Sequence, residues 1–222
     1  MNIFRFVGDM CHVCSILVLL LRLRVSKNAI GISLKTQELY LVVFATRYLD
    51  LFTTYYSLYN SLMKILYISS TGYIIYMVLE MEPFKINYDR AQDSFLHWQY
   101  AVAPSAVAAL VTSIASGFDF MEMLWYLSIF LEAMAIVPQL IVLQRYREVE
   151  NLTGHYVFFL GAYRALYIIN WIYRSYHETY YKHNWVVYAC GFVQTALYLD
   201  FCYYYFLSKF RGSKFTLPSQ GT

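Results

Sequence analysis

The sequence predicts an all-α polytopic membrane protein with seven transmembrane helices. Of its 222 residues, 59% are hydrophobic, 20% are aromatic and only 14% are charged, and the mean hydropathy is +0.43. An average soluble domain has about 25% charged residues, so one soluble core of this length could not bury so much apolar surface. A spanning helix takes about 20 residues. Seven of them would use most of the chain and leave only short loops.

Seven apolar segments provide the predicted spans, and the boundaries follow from polar or turn-forming stretches between them. The stretch 27–31 separates the first two segments, and 87–90 precedes the fourth. The fourth and fifth meet at a minimal turn, 116–119. The chain would thus form one transmembrane domain over 1–208 and a tail over 209–222, with spans at 3–21, 37–58, 61–80, 97–117, 121–144, 155–175 and 184–208.

The first segment is expected to be a retained helix and not a cleaved signal peptide. Arg5, Asp9 and His12 interrupt its apolar run, and its basic cluster follows that run. Basic loop residues also predict the orientation. Two lysines, Lys64 and Lys182, would lie on the lumenal side, against eleven cytosolic Lys and Arg residues in the loops after the first, third and fifth spans and in the tail. The N-terminus is therefore expected to be lumenal and the C-terminus cytosolic.

Composition and motifs exclude several classes of function. A net charge of +3 is too small to indicate nucleic-acid binding. The four cysteines lie in apolar segments, and the Cys-His-Val-Cys stretch at 11–14 has no second ligand pair at zinc-site spacing. We therefore expect no disulfide framework, no metal and no other cofactor. An intramembrane enzyme is disfavoured because no paired aspartates or Ser/His constellation occur on facing spans.

Four arginines remain within the spans or at their edges: Arg5, Arg47, Arg164 and Arg174. A charge in the hydrocarbon core costs about 2.5–3.5 kcal/mol, so it normally faces a cavity or a partner. Arg47 and Asp50, three residues apart, could neutralise each other as a structural pair. The four arginines, spread over three spans, indicate instead a polar cavity for an anionic ligand. Aromatic and amide side chains nearby could bind the same ligand, or could equally be interfacial or packing residues: Tyr48, Tyr163, Tyr167, Asn170 and Trp171.

The second and sixth spans share an adjacent arginine and tyrosine, at 46–48 and 163–164. This similarity suggests a three-helix unit repeated in parallel, with one linking helix. Parallel repeats of this kind occur in small transporters. Pro138 within the fifth span fits the idea, because a proline inside a helix permits bending.

Long stretches of the chain resemble the ER lumen protein-retaining receptor family, also called the KDEL/HDEL receptors. The similar stretches cover nearly the whole chain and include MNIFR at 1–5, GISLKTQ at 31–37, TRYLDLFT at 46–53, AIVPQL at 135–140, FFLGAYRALY at 158–167 and QTALYLDF at 194–201. The third and fourth spans and the tail diverge most. The resemblance implies a fold similar to SWEET and PQ-loop transporters. It also implies capture of escaped ER proteins by a C-terminal Lys/His-Asp-Glu-Leu signal.

The resemblance assigns roles to the arginines. Arg47 with Tyr48 would hold the terminal carboxylate of the signal, and planar guanidinium groups suit carboxylates because they donate two parallel hydrogen bonds. Arg5 and Arg174 would take the acidic side chains. The remaining implied contacts are Asn170, Trp171 and Tyr167 beside these arginines, and Asp50, Glu122 and Trp125 around the Lys or His at the first position of the signal.

The resemblance also implies a pH switch, since the Golgi is more acidic than the ER. Histidine changes charge in that range, and His12 lies within the first span. From the residues alone it could equally be a packing residue. The family's proton sensor corresponds to His12, coupled to Glu132, Tyr163 and Arg164. Protonation of His12 is then expected to favour capture of the anionic signal, and neutral pH its release.

In the family, a lysine-bearing tail recruits COPI coat, and an aspartate in the last helix is needed for transport. Asp200 matches that aspartate, and Lys209 and Lys214 are the expected coat contacts, although a positive-inside anchor explains the same lysines. The expected location is the ER and cis-Golgi membrane and COPI vesicles, in contact with lipid. The alternative function is a SWEET- or PQ-loop-type transporter of small solutes, for which fewer cavity arginines would be expected.

Overall fold

The computed structural model describes residues 2–217, and its regular structure there is helical. A 3-10 turn covers Leu49–Phe52, and a π-helical turn, Trp98–Val102, leads into the fifth helix. An isolated antiparallel bridge joins Glu148 to Thr216. The nine helices in this part of the chain are α1 (Ile3–Ser26), α2 (Leu34–Arg47), α3 (Leu58–Glu80), α4 (Phe84–Asn87), α5 (Ala103–Ser116), α6 (Phe120–Met134), α7 (Val137–Tyr146), α8 (Asn151–His177) and α9 (Trp185–Arg211). The all-helical prediction is confirmed.

Short polar side chains define where the helices begin. Each accepts a hydrogen bond from a backbone N–H of the first turn, which would otherwise have no partner. Glycines in the left-handed region, Gly117 and Gly212, end α5 and α9. The N-terminal caps with such a bond are Asn2, Ser33, Ser57, Asp119 and Asn184.

Five helical stretches among the described residues are long and apolar enough to cross a membrane. They are Ile3–Ser26, Leu58–Glu80, Trp98–Ser116, Phe120–Tyr146 and Trp185–Arg211. These stretches support a membrane protein. The two predicted spans not among them are those of α2 and α8. Helix α2 has 14 residues, whereas α8 has 27 and falls short through its composition. The count of seven spans and the three-helix repeat stay predictions.

The second predicted segment, 37–58, does not form one continuous helix. Helix α2 ends at Arg47, and the chain passes through the 3-10 turn before Ser57 caps α3. Two backbone N–H groups, those of Thr53 and Thr54, donate to the carbonyl oxygen of Asp50. Asp, Thr and Ser favour such turns because their side chains compete with helical hydrogen bonds. The prediction was wrong here because apolar content alone does not show this competition.

Pro138 marks the interruption between α6 and α7. Helix α6 ends at Met134 and α7 begins at Val137, within the predicted fifth span. The proline ring lacks a donor and clashes with the carbonyl group four residues earlier, so a continuous helix cannot pass through this point. The two-residue interruption lies just before Pro138, and the bend expected from the sequence stays a prediction.

The chain divides into two compact units. Unit one comprises the described residues within Met1–Lys27 and Leu143–Thr222, and unit two comprises Asn28–Val142. In unit one, α8 packs against both α1 and α9. In unit two, α2 packs against α3 and α6, and α6 also packs against α5. Site residues are therefore described unit by unit.

Candidate ligand-binding site

Helices α1 and α8 of unit one run antiparallel and in close contact. The side-chain amide of Asn2 donates to the side-chain oxygen of Asn170 at 2.7 Å, and at the other end Arg22 is 2.9 Å from Glu150. A Cβ atom added to Gly8 would lie 3.1 Å from the Tyr167 ring. The bare backbone at Gly8 therefore lets the ring approach, as small residues do between membrane helices.

Two of the predicted arginines lie at the Asn2–Asn170 end of this helix pair. Arg5 follows the Asn2 cap in the first turn of α1 and its side chain is exposed. Arg174 is in the last turn of α8 and donates two hydrogen bonds of 2.8 Å to the carboxylate of Glu178. Its guanidinium carbon also lies 4.8 Å from the centre of the Tyr181 ring. The hydrogen bonds from Arg174 lower the pKa of Glu178.

The predicted aromatic site residues of unit one, Tyr167 and Trp171, lie one turn apart on α8. Tyr167 donates its hydroxyl proton to Asp9, a buried carboxylate on α1. The ring of Trp171 lies edge-on to Tyr167, with centroids 6.4 Å apart, and 5.6 Å from the ring of Tyr188 on α9. A cavity of about 280 Å³ lies beside it, lined by Ile168, Trp171, Ile172, Ser175, His183, Tyr188 and Phe192.

Three of the four predicted pH-sensing residues meet in unit one. The buried His12 ring stacks on Tyr163, with centroids 4.3 Å apart and an angle of 4° between the planes. The Nε of Arg164 donates to the Tyr163 hydroxyl at 2.9 Å, and its guanidinium carbon lies 4.8 Å from the centre of that ring. Tyr163 thus contacts both His12 and Arg164. Glu132 belongs to unit two.

Arg47 in unit two is bound to α6. Its guanidinium group forms an ion pair with Glu132, which is 3% exposed, and donates to the Ser128 hydroxyl and carbonyl oxygens at 3.0 and 3.1 Å. The suggested Arg47–Asp50 pair is therefore wrong. Asp50 lies in the 3-10 turn beyond the end of α2, so the two side chains do not share a helix face.

Asp50 pairs instead with Lys64, at 2.7 Å between Oδ2 and Nζ. Lys64 was expected among the charges outside the membrane, but it lies in the second turn of α3 and is buried. Its ammonium group is also 5.6 Å from the centre of the Tyr48 ring. Tyr48 in turn stacks on Phe44, with centroids 5.7 Å apart. Asp50 and Tyr48 are thus joined through one lysine.

Glu122 and Trp125 lie together at the start of α6. The carboxylate of Glu122 accepts a hydrogen bond from Ser116 at 3.2 Å, and its backbone N–H donates to the Asp119 cap. Trp125 packs edge-on against Tyr126, with centroids 5.1 Å apart. The two predicted residues therefore occupy the first turns of one helix in unit two.

The predicted transport residues lie along α9 and the following strand-like segment. Asp200 is exposed on α9. Lys209 donates to the side-chain oxygen of Asn151 at 3.2 Å, whereas Lys214 is 3.8 Å from Glu148. Helix α9 extends to Arg211, so the first residues of the predicted tail are helical. Residues 218–222 of that tail lie outside the described residues.

Sequence reasoning missed several partners of the site residues: Lys64, Ser128, Asn2 and Glu178. Glu178 could have been found, because a carboxylate four residues after Arg174 on a helix is a known pairing distance. Ser128 and Glu132 also have this spacing on α6 and contact Arg47 together. Their meeting with Arg47 has no local signal, because 81 residues separate Arg47 from Ser128.

The predicted site residues therefore fall into two groups, each assembled within its own unit. Unit one brings together Arg5, Asn170, Trp171 and Arg174 near the end of the α1–α8 pair. Tyr167, Tyr163 and Arg164 follow along α8, and His12 of α1 stacks on Tyr163. Unit two joins Arg47 to Glu132 and Asp50 to Lys64. Guanidinium, amide and indole groups of unit one can all donate hydrogen bonds to an anion.

Comparisons with known proteins give a consistent result. A family model described as ER lumen protein retaining receptor matches residues 28–174. The chain is 52% identical over 219 residues to ER lumen protein-retaining receptor B of Arabidopsis thaliana, covering 99% of this chain and 100% of that protein. The receptor of Drosophila melanogaster is 47% identical over 219 residues, with the same coverage. That of Plasmodium falciparum is 45% identical over 221 residues, covering 100% of this chain and 99% of that protein.

Proposed function

This chain belongs to the ER lumen protein-retaining receptor family, and we propose that it captures escaped ER proteins by their C-terminal Lys/His-Asp-Glu-Leu signal in the acidic Golgi. The family is one of receptors for ER luminal proteins and not of enzymes. Its name and the five apolar helices agree with a membrane protein of the retrieval pathway. Binding of the signal, dependence on pH and return through COPI vesicles make up the proposal.

The observation that carries the proposal is the positive charge of Arg5. Among residues 2–217 no carboxylate lies within ion-pair distance of its guanidinium group, although Asn2 and Asn170 hold this end of α1 against α8. Such a signal carries three negative charges in its last three residues. An arginine without an acidic partner, beside amide and indole donors, suits a carboxylate of the ligand because it can donate two parallel hydrogen bonds.

Binding at Arg47 requires an exchange of partners. Arg47 is paired with Glu132, so a terminal carboxylate that binds this guanidinium competes with or shares the position of the Glu132 carboxylate. Two carboxylates at one site favour protonation of one of them. Asp50, proposed to receive the Lys or His of the signal, exchanges Lys64 for the ligand in the same way. Protonation of the receptor and ligand binding are thereby linked.

His12 is the proposed sensor of pH. It stacks on Tyr163, whose hydroxyl accepts from Arg164, so a positive charge on His12 acts next to an arginine. Acid then destabilises this arrangement of like charges, and capture of an anionic ligand offsets the repulsion. The expected result is that His12→Ala binds the peptide equally at pH 5 and 7.5, whereas the parent binds more tightly at pH 5. An unchanged pH dependence in His12→Ala would exclude His12 as the sensor.

The proposal is tested by binding of a peptide ending in Lys-Asp-Glu-Leu to the full chain in lipid nanodiscs. We expect tighter binding at pH 5.5 than at pH 7.5. A C-terminally amidated peptide should bind at least about tenfold more weakly, because one charged hydrogen-bonding group is lost. A histidine at the first position provides the second natural signal. Absence of binding to both peptides, with flux of a small solute in liposomes, would favour a SWEET-type transporter instead.

Return to the ER is proposed to require Asp200, Lys209 and Lys214. Both lysines contact residues that begin or precede α8, and Asp200 is exposed on α9, so all three are carried by unit one. Binding of purified COPI coat to the reconstituted receptor, with and without peptide, tests this part. Equal binding by the Lys209→Ala/Lys214→Ala variant would show that these lysines serve as a membrane anchor and not as a coat signal.

A further inference from the structure

We infer that Gly191 positions the indole of Trp171 for the ligand and is thereby a determinant of affinity for the signal. Gly191 lies on α9, on the side that faces α8, and is buried. A Cβ atom added there would be 2.5 Å from Cζ3 and 2.6 Å from Cη2 of Trp171. Real Cβ atoms do not approach ring carbons so closely, so any side chain at 191 requires the indole to move. The inference rests on the proposed function.

The indole has a defined place because two aromatic rings and one bare backbone surround it. Tyr167 lies on one edge, and Tyr188, one turn before Gly191 on α9, lies on another. Contacts of this kind fix a side chain well because aromatic rings have few rotamers to lose. Trp171 follows Asn170 directly, and Asn170 is held by Asn2. The indole N–H is therefore presented from the same turn as the amide.

Displacement of the indole has an open direction. Trp171 lines the cavity of about 280 Å³ between the end of α8 and the start of α9, together with Tyr188, Ser175 and His183. A side chain at 191 would displace the ring from its present contacts, and the adjoining cavity offers volume for that movement. A donor must lie within about 3 Å of its acceptor. Movement of the indole away from its present position therefore weakens or removes the hydrogen bond that its N–H can donate to the ligand.

Two other glycines provide matched controls. Gly161, on α8, meets Tyr198 of α9, and an added Cβ atom would lie 3.1 Å from the Tyr198 Cβ. Gly161→Ala therefore perturbs the same helix pair without touching Trp171. Gly72, on α3 in unit two, has no atom within 4 Å of an added Cβ. Gly72→Ala measures the effect of alanine in a helix alone, which is favourable.

The experiment compares binding of the Lys-Asp-Glu-Leu peptide at pH 5.5 by the parent, Gly191→Ala, Gly161→Ala and Gly72→Ala receptors. We expect Gly191→Ala to bind the peptide about tenfold more weakly, because one hydrogen bond to a charged group is lost. The two controls should bind within about twofold of the parent, an effect below half of that free energy. Equal affinity of Gly191→Ala and the parent, or an equal loss in Gly161→Ala, would overturn the inference.

A double variant separates positioning from folding. Trp171→Phe removes the outer ring carbons that the new Cβ would meet, so Gly191→Ala should cause no further loss of affinity in that background. If Gly191→Ala alone fails to fold, the inference requires the double variant to fold, as judged by circular dichroism and gel filtration, and misfolding of both would contradict it. Absence of peptide binding by the parent would instead reject the proposed function.

Discussion

Arg47 in unit two and Arg5 in unit one have different surroundings. In unit two, Arg47 and Lys64 each pair with a carboxylate on another element, and Glu132 is almost completely buried. In unit one, Arg164 contacts the ring and hydroxyl of a tyrosine, and Arg5 is exposed with no ion pair among residues 2–217. Arg174 pairs with a glutamate at the exposed end of α8. Arg5 thus remains accessible in unit one, whereas Arg47 is held by Glu132 in unit two.

This difference separates two roles that arginines have in membrane proteins. A buried ion pair is expensive to break, because the remaining charge has no water to solvate it. An accessible arginine near aromatic and amide donors can take a ligand without leaving a charge behind. Arg47 must therefore exchange Glu132 for the proposed ligand, whereas Arg5 needs no such exchange. Three changes would break or sharpen this distinction.

The largest effect is expected for Arg47→Ala. Removing one partner of a buried ion pair should lower the stability by about 3–5 kcal/mol, because the Glu132 carboxylate loses the guanidinium group of Arg47. Arg5→Ala should change the stability by no more than about 0.5 kcal/mol, although it weakens peptide binding. Thermal unfolding in detergent, followed by circular dichroism, measures both. Comparable destabilisation by the two variants would contradict the distinction.

A double variant shows whether the lost stability of Arg47→Ala comes from Glu132. Arg47→Ala with Glu132→Gln removes the buried charge and should recover most of the unfolding temperature. It should not recover peptide binding, because the proposed contact of the terminal carboxylate is absent. Recovery of both properties would mean that Arg47 has a structural role alone.

An intermediate effect is expected for Tyr167→Phe in unit one. The change removes the hydrogen bond from Tyr167 to the buried Asp9, and a buried acceptor that loses a donor costs about 1–3 kcal/mol. Tyr173→Phe is the matched control on the same helix. Its hydroxyl group has no hydrogen-bond partner among residues 2–217, and its side chain is exposed. Equal unfolding temperatures for the two variants would show that the Asp9 contact adds nothing.

The smallest effect is expected for Glu178→Gln, which frees Arg174. Hydrogen bonds from Arg174 lower the pKa of Glu178. The contribution of this ion pair to stability is therefore fully present above the unfolded pKa of about 4.3 and is lost as the pH falls through the lower folded pKa. It is therefore constant between pH 5 and 7.5. The variant should bind the peptide about two- to threefold more tightly, because an exposed ion pair contributes only that much free energy. The dependence of peptide affinity on pH should be unchanged. A flatter slope would make Glu178 part of the switch.

The sequence was sufficient for the helical class, the membrane and the family, because apolar content and long shared stretches are local properties. It also drew attention to Pro138, which lies just after the interruption between α6 and α7. It did not locate the end of α2, where the hydroxyl groups of Thr46 and Thr53 donate to backbone carbonyl oxygens. The partners of Arg47 and Asp50 were missed for another reason. Periodicity shows which face of a helix is polar but not which distant helix that face meets.

The segment after α9 has a consequence for experiments on trafficking. The backbone of Phe215 accepts from Val149, and Leu217 donates to Arg147, so this segment pairs with the stretch before α8. The buried Phe215 ring covers Gly154 and packs on Phe201 and Tyr205. Truncation ahead of Phe215 would therefore uncover aromatic surface while leaving Lys209 and Lys214, the proposed coat contacts, in place. Failure of such a truncated receptor to recycle would report quality control as readily as coat recognition, and point substitutions at exposed positions give the cleaner assay.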